Sequence, residues 1–224
     1  MGSAETEVSG RTLRLDAAYY INLDRRTDRQ AAMEKRLQEW HTYKGLPPVV
    51  RVPGVDESAP PGWMSDGAWG CFESHRRLFG QLVDKGYRKG VLVLEDDADI
   101  PPEFPEKVIR LLENFFKHNH PWSMIYLGGI PEKRGRMGGT LLEWLPRRHW
   151  AQDQCGAVGR AFRVSRTHAY IIREPILTEL WKHLANCHNL DVDTAIADFT
   201  ESNRKYHAYF VDMVRQDGSK SDLR

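Results

Sequence analysis

The chain has 224 residues, 41% of them hydrophobic, which is enough for the core of one large domain. Lys+Arg 32 against Asp+Glu 31 leave a net charge of +1, so the molecule as a whole lacks the positive field that nucleic acid or an anionic membrane surface would attract. Cys71, Cys155 and Cys187 lie far apart with no C-x-x-C pair, which reads as neither a zinc site nor a disulfide framework and points to a reducing, cytoplasmic setting.

Residues 1–15 are mostly polar and read as a flexible leader, leaving 16–224 as a single domain with no stretch of 18 apolar residues and hence no transmembrane segment. A first buried strand is expected over Ala17 to Leu23. Thr27 and Gln30 have capping-box spacing, and Met33, Leu37 and Trp40 follow at helical intervals, so a helix starts near Asp28. That junction offers backbone N–H groups, the positive end of a helix and Arg25, Arg26 and Arg29 to an anion. Otherwise the three arginines are surface charges paired with Asp24 and Asp28.

Pro48 to Val52 suggests a second strand, followed by a Pro- and Gly-rich loop over 56–68. Trp69, Phe72, Phe79, Leu82 and Val83 form the apolar stripe of a helix over roughly 69–85 that Gly86 closes, with His75 facing either the core or a site. Val91 to Leu94 then has the composition of a strand buried on both faces, as in a parallel sheet. It ends in Glu95, Asp96, Asp97 and Asp99, four carboxylates within five residues. Their mutual repulsion calls for a cation, and hard oxygen donors suit Mn²⁺ or Mg²⁺. The alternative is a solvated acidic loop leading to Pro101-Pro102.

Val108, Leu111, Leu112, Phe115 and Phe116 give another amphipathic helix, and Trp122 to Leu127 a strand ending at Gly128-Gly129. Residues 129–150 mix glycines, five basic residues, Trp144 and Trp150, and read either as a cover for an anionic or sugar-bearing acceptor or as a solvated loop. Val158 to Val164 is a strand candidate, and Ser165 is read as capping a helical stretch interrupted at Pro175. Asp191 and Asp193 stand at the mouth of a helix running to about Glu201, where either is a general base or a helix cap. Tyr206 to Val211 is the last strand, before a polar tail expected to fray.

Ile21-Asn22-Leu23-Asp24-Arg25-Arg26-Thr27-Asp28-Arg29 resembles the opening "N-L-x-R-x-x-x-R" signature of glycosyltransferase family 25, the lipooligosaccharide and procollagen galactosyltransferase group. Gly70-Cys71-Phe72-Glu73-Ser74-His75 is similar to its "G-C-x-x-S-H" motif and Leu94-Glu95-Asp96-Asp97 to its "L-E-D-D". Ala161 to Ala169 resembles "a-Y-x-x-S-x-x-x-A", and Gln216 through Ser221-Asp222 the closing "Q-x-x-x-x-S-D". The five segments stand in the family's order from about residue 18 to 222. Glu73 departs from the family, several members of which are apolar there.

The resemblance implies a GT-A type α/β fold: a Rossmann-like, mixed but mainly parallel sheet flanked by helices. It also implies inverting transfer of a hexose from a UDP-sugar to an acceptor hydroxyl on a glycan, a lipooligosaccharide or a hydroxylated polymer, commonly with Mn²⁺. Carried over by position, Glu95 and Asp97 are the metal-side carboxylates, with Asp96 nearby. Leu23, Arg25, Arg29 and His75 fall on the nucleotide side, Gln216, Lys220 and Ser221 close over the diphosphate, and Asp191 or Asp193 is the acidic residue near the acceptor. A non-catalytic glycan- or protein-binding module on the same fold is the rival reading, and a metal-dependent nucleotidyltransferase a second.

Overall fold

The structure is a computed structural model that describes residues 15–132, 142–144 and 157–217. Strand β1 (Ala17–Asn22) leads through helix α1 (Thr27–Arg36) and the short α2 (Gln38–Thr42) to β2 (Val49–Pro53). Helix α3 (Asp66–Lys85) then feeds β3 (Val91–Glu95), β4 (Ala98–Asp99) and α4 (Phe104–Lys117). The chain continues through β5 (Met124–Tyr126), β6 (Ile130–Pro131), β7 (Leu142–Trp144), β8 (Val158–Ala161), β9 (Val164–Ser165) and β10 (Ala169–Ile172). Helices α5 (Ile176–Leu184) and α6 (Val192–Ser202) and strands β11 (Ala208–Val211) and β12 (Arg215–Gln216) complete it.

The central sheet has eight strands in the order β2-β1-β3-β10-β5-β11-β8-β7. Within it β8 and β10 run against the rest, so the sheet is mixed with most strands pointing one way, as a Rossmann-like α/β fold requires. Alternation along β3 shows how the core divides. Leu92 and Leu94 pack with Met33, Trp40, Phe104 and Phe115 on one face, while Val91 and Val93 pack with Phe72, Phe79, Leu180 and Ile196 on the other. The four apolar residues of β3, Val91 to Leu94, are fully buried, so the run needs both helical layers.

Helix α3 starts three residues earlier than its apolar stripe suggests, because the Ser65 hydroxyl accepts from the Ala68 N–H. It ends where predicted, at Gly86 with φ 66°. Glu73, the departure from the family pattern, is buried in this helix and held by Arg76 and Arg77 one turn on.

Four expectations are corrected. The stretch after Ser165 is not helical: Ala169–Ile172 is a strand inserted between β3 and β5, and the helix begins only after Pro175. A four-residue apolar run carries no readable period, and its Tyr170, Ile171 and Ile172 favour a pleated, two-sided burial. Thr27 does not cap α1; Arg26 occupies the N-cap and no side chain bonds there. The turn is fixed from outside, by Asn22 donating to the Arg26 carbonyl and by Arg26 N–H donating to Leu23. Leu15, assigned to the leader, is buried in the core. The tail is ordered at least to Asp217: Met213 and Val214 are buried, β12 pairs with β4, and Asp217 N–H donates to the Asp97 carbonyl at 2.7 Å.

Gly128 makes this docking possible, since a Cβ there would lie 2.2 Å from the Val214 carbonyl oxygen and 2.4 Å from His168 Nε2. Gly128→Ala is expected to displace the tail and cost about 1–3 kcal/mol. Faster proteolytic cleavage beyond Val211, together with a lower melting temperature, is the readout. Much of the basic 129–150 segment lies outside the described residues. No helix among the described residues is long and apolar enough to cross a membrane.

Candidate active site

Beyond the carboxyl ends of β1 and β3, where an open α/β sheet gathers its ligands, lies a cleft of about 480 Å³. Leu23, Arg25, Arg29, His75, Glu95, Asp96, Asp97 and Gln216 all line it, from four separate stretches of chain. Asp191 and Asp193 stand outside this lining, and Lys220 and Ser221 lie outside the described residues.

The four clustered carboxylates have four different surroundings. Glu95 Oε1 accepts from the Thr167 hydroxyl at 2.8 Å and lies 3.2 Å from His75 Nε2. His75, itself 1% exposed, places its other nitrogen 2.8 Å from Tyr170 Oη. Since an ionised carboxylate only accepts, the network assigns the ring proton to Nε2 and has Tyr170 donate to Nδ1. Asp96 is a buried scaffold charge, bonded to Arg29 Nη1 at 2.8 Å and Asn22 Nδ2 at 2.8 Å. Asp97 Oδ2 accepts from Gln216 at 3.0 Å, whereas its Oδ1 is buried with no partner. Asp99 is exposed and lies 3.7 Å from Arg36.

These surroundings set the charges. Burial opposes ionisation of Glu95, but the hydrogen bonds from His75 and the Thr167 hydroxyl prevail and hold its carboxyl below the usual range. Asp97 has no such support. Burial, then the Glu95 charge, push it up to about 6.

The arginine junction also separates. Arg25 pairs with Asp56 at the half-exposed rim at 2.8 Å, Arg26 turns to Asp28 as a surface pair, and Arg29 goes inward to Asp96. Asp24 is taken instead by Arg51.

On α6 the N-cap is Asp191, without a side-chain capping bond. Burial and Asp193 raise its carboxyl. Asp193 accepts from the Arg166 N–H at 3.0 Å and from Thr194 N–H at 3.1 Å, which ties α6 to the turn carrying Thr167. Both aspartates act on the Cys71 thiol, which burial and then Glu95, Asp193, Asp97 and Asp191 push well up. Asp193 and Glu95 are joined through adjacent residues, Arg166 and Thr167.

Sequence reasoning missed Asn22, Thr167 and Tyr170. The first two sit inside segments that carry the family resemblance, which was the available signal. Tyr170 was hidden by the misread strand.

Residues 56–135 match the family described as "Glycosyltransferase family 25 (LPS biosynthesis protein)". Procollagen galactosyltransferase 2 of Mus musculus is 28% identical over 129 residues, 50% of this chain and 20% of that protein. A glycosyltransferase 25 family member of Drosophila melanogaster is 31% identical over 132 residues, 52% of this chain and 21% of its own. The human protein named "Inactive glycosyltransferase 25 family member 3" is 26% identical over 180 residues, 72% of this chain and 29% of its own. The chain thus spans less than a third of the length of these relatives.

Proposed function

We propose, on the premise that this chain is a relative of glycosyltransferase family 25, that it is a metal-dependent, inverting glycosyltransferase of GT-A type. Its cleft takes a UDP-sugar and passes the hexose to a hydroxyl of a glycan or hydroxylated polymer. The observation that carries this reading is Asp97 Oδ1, an acceptor buried without a partner beside Glu95 in a cleft of nucleotide size. Such an atom suits a cation. The lining also holds Asp56, Glu57, Asp66, Glu95, Asp96 and Asp97 against Arg25 and Arg29, an excess of negative charge that disfavours a diphosphate unless a cation accompanies it.

Glu95 and Asp97 present hard oxygen donors that fit Mn²⁺ or Mg²⁺. When bound, such an ion supplies charge stabilisation for the departing diphosphate worth several kcal/mol. The protein does the rest. Arg25 and Arg29 hold the phosphates at the mouth of α1, Leu23 gives an apolar wall for the nucleoside, and Gln216 orients Asp97 by binding its Oδ2. In a single displacement one carboxylate takes the acceptor proton, and the raised Asp191 is better matched to that task near neutral pH than an ordinary aspartate. Asp193 shares the position.

Purified protein incubated with UDP-galactose or UDP-glucose and Mn²⁺ is expected to release UDP, and excess EDTA to stop it. Asp191→Asn or Asp193→Asn should lower turnover about 10²-fold or more while UDP affinity, read by calorimetry, stays within twofold. Normal turnover in both variants rejects these bases. The name "Inactive" carried by the relative covering the largest share of this chain among those described above supports a second reading, a non-catalytic glycan- or protein-binding module. Binding of UDP and Mn²⁺ with no turnover of any UDP-hexose favours it.

A further inference from the structure

Where α3 meets β3 lies a second set of donors, of which only Glu95 is shared with the proposed transfer site. One ligand atom each from Cys71, His75 and Glu95 lie within 4.8 Å of one another. Cys71 and His75 are four residues apart, so they share one helical face, and Glu95 comes from the strand tip opposite. All three residues line the cleft. We propose that they form a binding site for a borderline-soft divalent cation of the zinc class.

Sulfur, imidazole and one carboxylate oxygen select such an ion over Mn²⁺ or Mg²⁺. Three protein ligands also leave a fourth position toward the cleft, which provides both an open coordination site and an entry path. Zinc bond lengths put neighbouring ligands about 3.3–3.6 Å apart. His75 Nε2 and Glu95 Oε1 are already at 3.2 Å, so closure requires chiefly that the Cys71 sulfur move in from within 4.8 Å. The supporting contacts are in place: Tyr170 Oη at 2.8 Å from His75 Nδ1 and Thr167 Oγ1 at 2.8 Å from Glu95. Binding releases the thiol proton as the sulfur becomes a ligand. The imidazole stays neutral, its proton moving from Nε2 to Nδ1, where the Tyr170 oxygen accepts it. Because Glu95 serves both this site and the hard-cation pair with Asp97, a zinc-class ion competes with Mn²⁺ for that carboxylate.

Cobalt titration of the metal-free, reduced protein tests this without nucleotide or sugar, so its outcome is independent of any transfer activity. The wild type is expected to develop a thiolate-to-cobalt charge-transfer band that one equivalent of Zn²⁺ abolishes, and Zn²⁺ is expected to shield Cys71 from alkylation, as located by mass spectrometry. Cys71→Ser should lose the band and weaken Zn²⁺ binding at least tenfold. Tyr170→Phe should weaken it about tenfold, and Cys187→Ser should change neither. No band in the wild type, a band that survives in Cys71→Ser, or alkylation of Cys71 unaffected by Zn²⁺ overturns the site. The last measurement uses the wild-type chain, so the test stands even where a variant fails to fold.

Discussion

Asp97→Asn is expected to lower sugar transfer at least 10³-fold and, in the same protein, to raise the melting temperature of the metal-free form by about 4 °C. The first effect follows from losing a ligand whose ion is worth several kcal/mol to the transition state, each 1.36 kcal/mol being tenfold. The second follows from linkage. Folding raises the Asp97 carboxyl from 3.8 to about 6, so between those values the folded chain binds more protons than the unfolded one and stability falls as pH rises. Above pH 6 the ionised group remains a net cost of about 1–2 kcal/mol after sharing with Glu95. Asparagine removes it, at about 2–4 °C per kcal/mol for a chain of this size. In EDTA, the gap between variant and wild type should shrink on going from pH 7.5 to pH 5, as the wild-type carboxyl protonates. Full transfer by the variant, or a gap that widens on acidification, refutes this account of Asp97.

The second large effect lies one residue away and has the opposite sign. Arg29 and Asp96 form an ion pair at 2.8 Å whose side chains are each 10% exposed. Arg29→Met leaves the Asp96 charge buried with the Asn22 amide, and a broken buried pair typically costs about 3–5 kcal/mol. A fall in melting temperature of about 10 °C is expected. Replacing both partners, Arg29→Met with Asp96→Leu, removes the stranded charge and should restore stability to within about 1 kcal/mol of wild type. The double variant then separates scaffold from ligand. If Arg29 also faces the diphosphate, the refolded protein binds UDP at least tenfold more weakly. Wild-type UDP affinity in that variant assigns Arg29 to the scaffold alone.

The contrast between Asp96 and Asp97 shows where reading a sequence stops. Both residues follow Glu95 and nothing in their local pattern separates them. The fold points Asp96 back at Arg29 and Asn22, which offset its charge, and points Asp97 into the cleft, where one oxygen has Gln216 and the other nothing. His75 likewise is buried and lines the cleft at once, so facing the core and facing the cleft are not alternatives.

Composition and pattern alone determined an α/β layer structure, the doubly buried strand ending in acids, the arginine-bearing junction after β1, the glycine-closed helix ahead of β3 and the family resemblance. Those are local properties, carried by runs, spacings and caps within one stretch of chain. Tertiary structure alone decided that Ala169–Ile172 is a strand and that the tail reaches back to Asp97. It also decided that Thr167 and His75 hold Glu95, and that the Cys71 sulfur comes within 4.8 Å of the Glu95 carboxylate. Each of these depends on contacts between residues 20 to 120 positions apart, whose energy arises only when the sheet brings them together, so no local pattern records it.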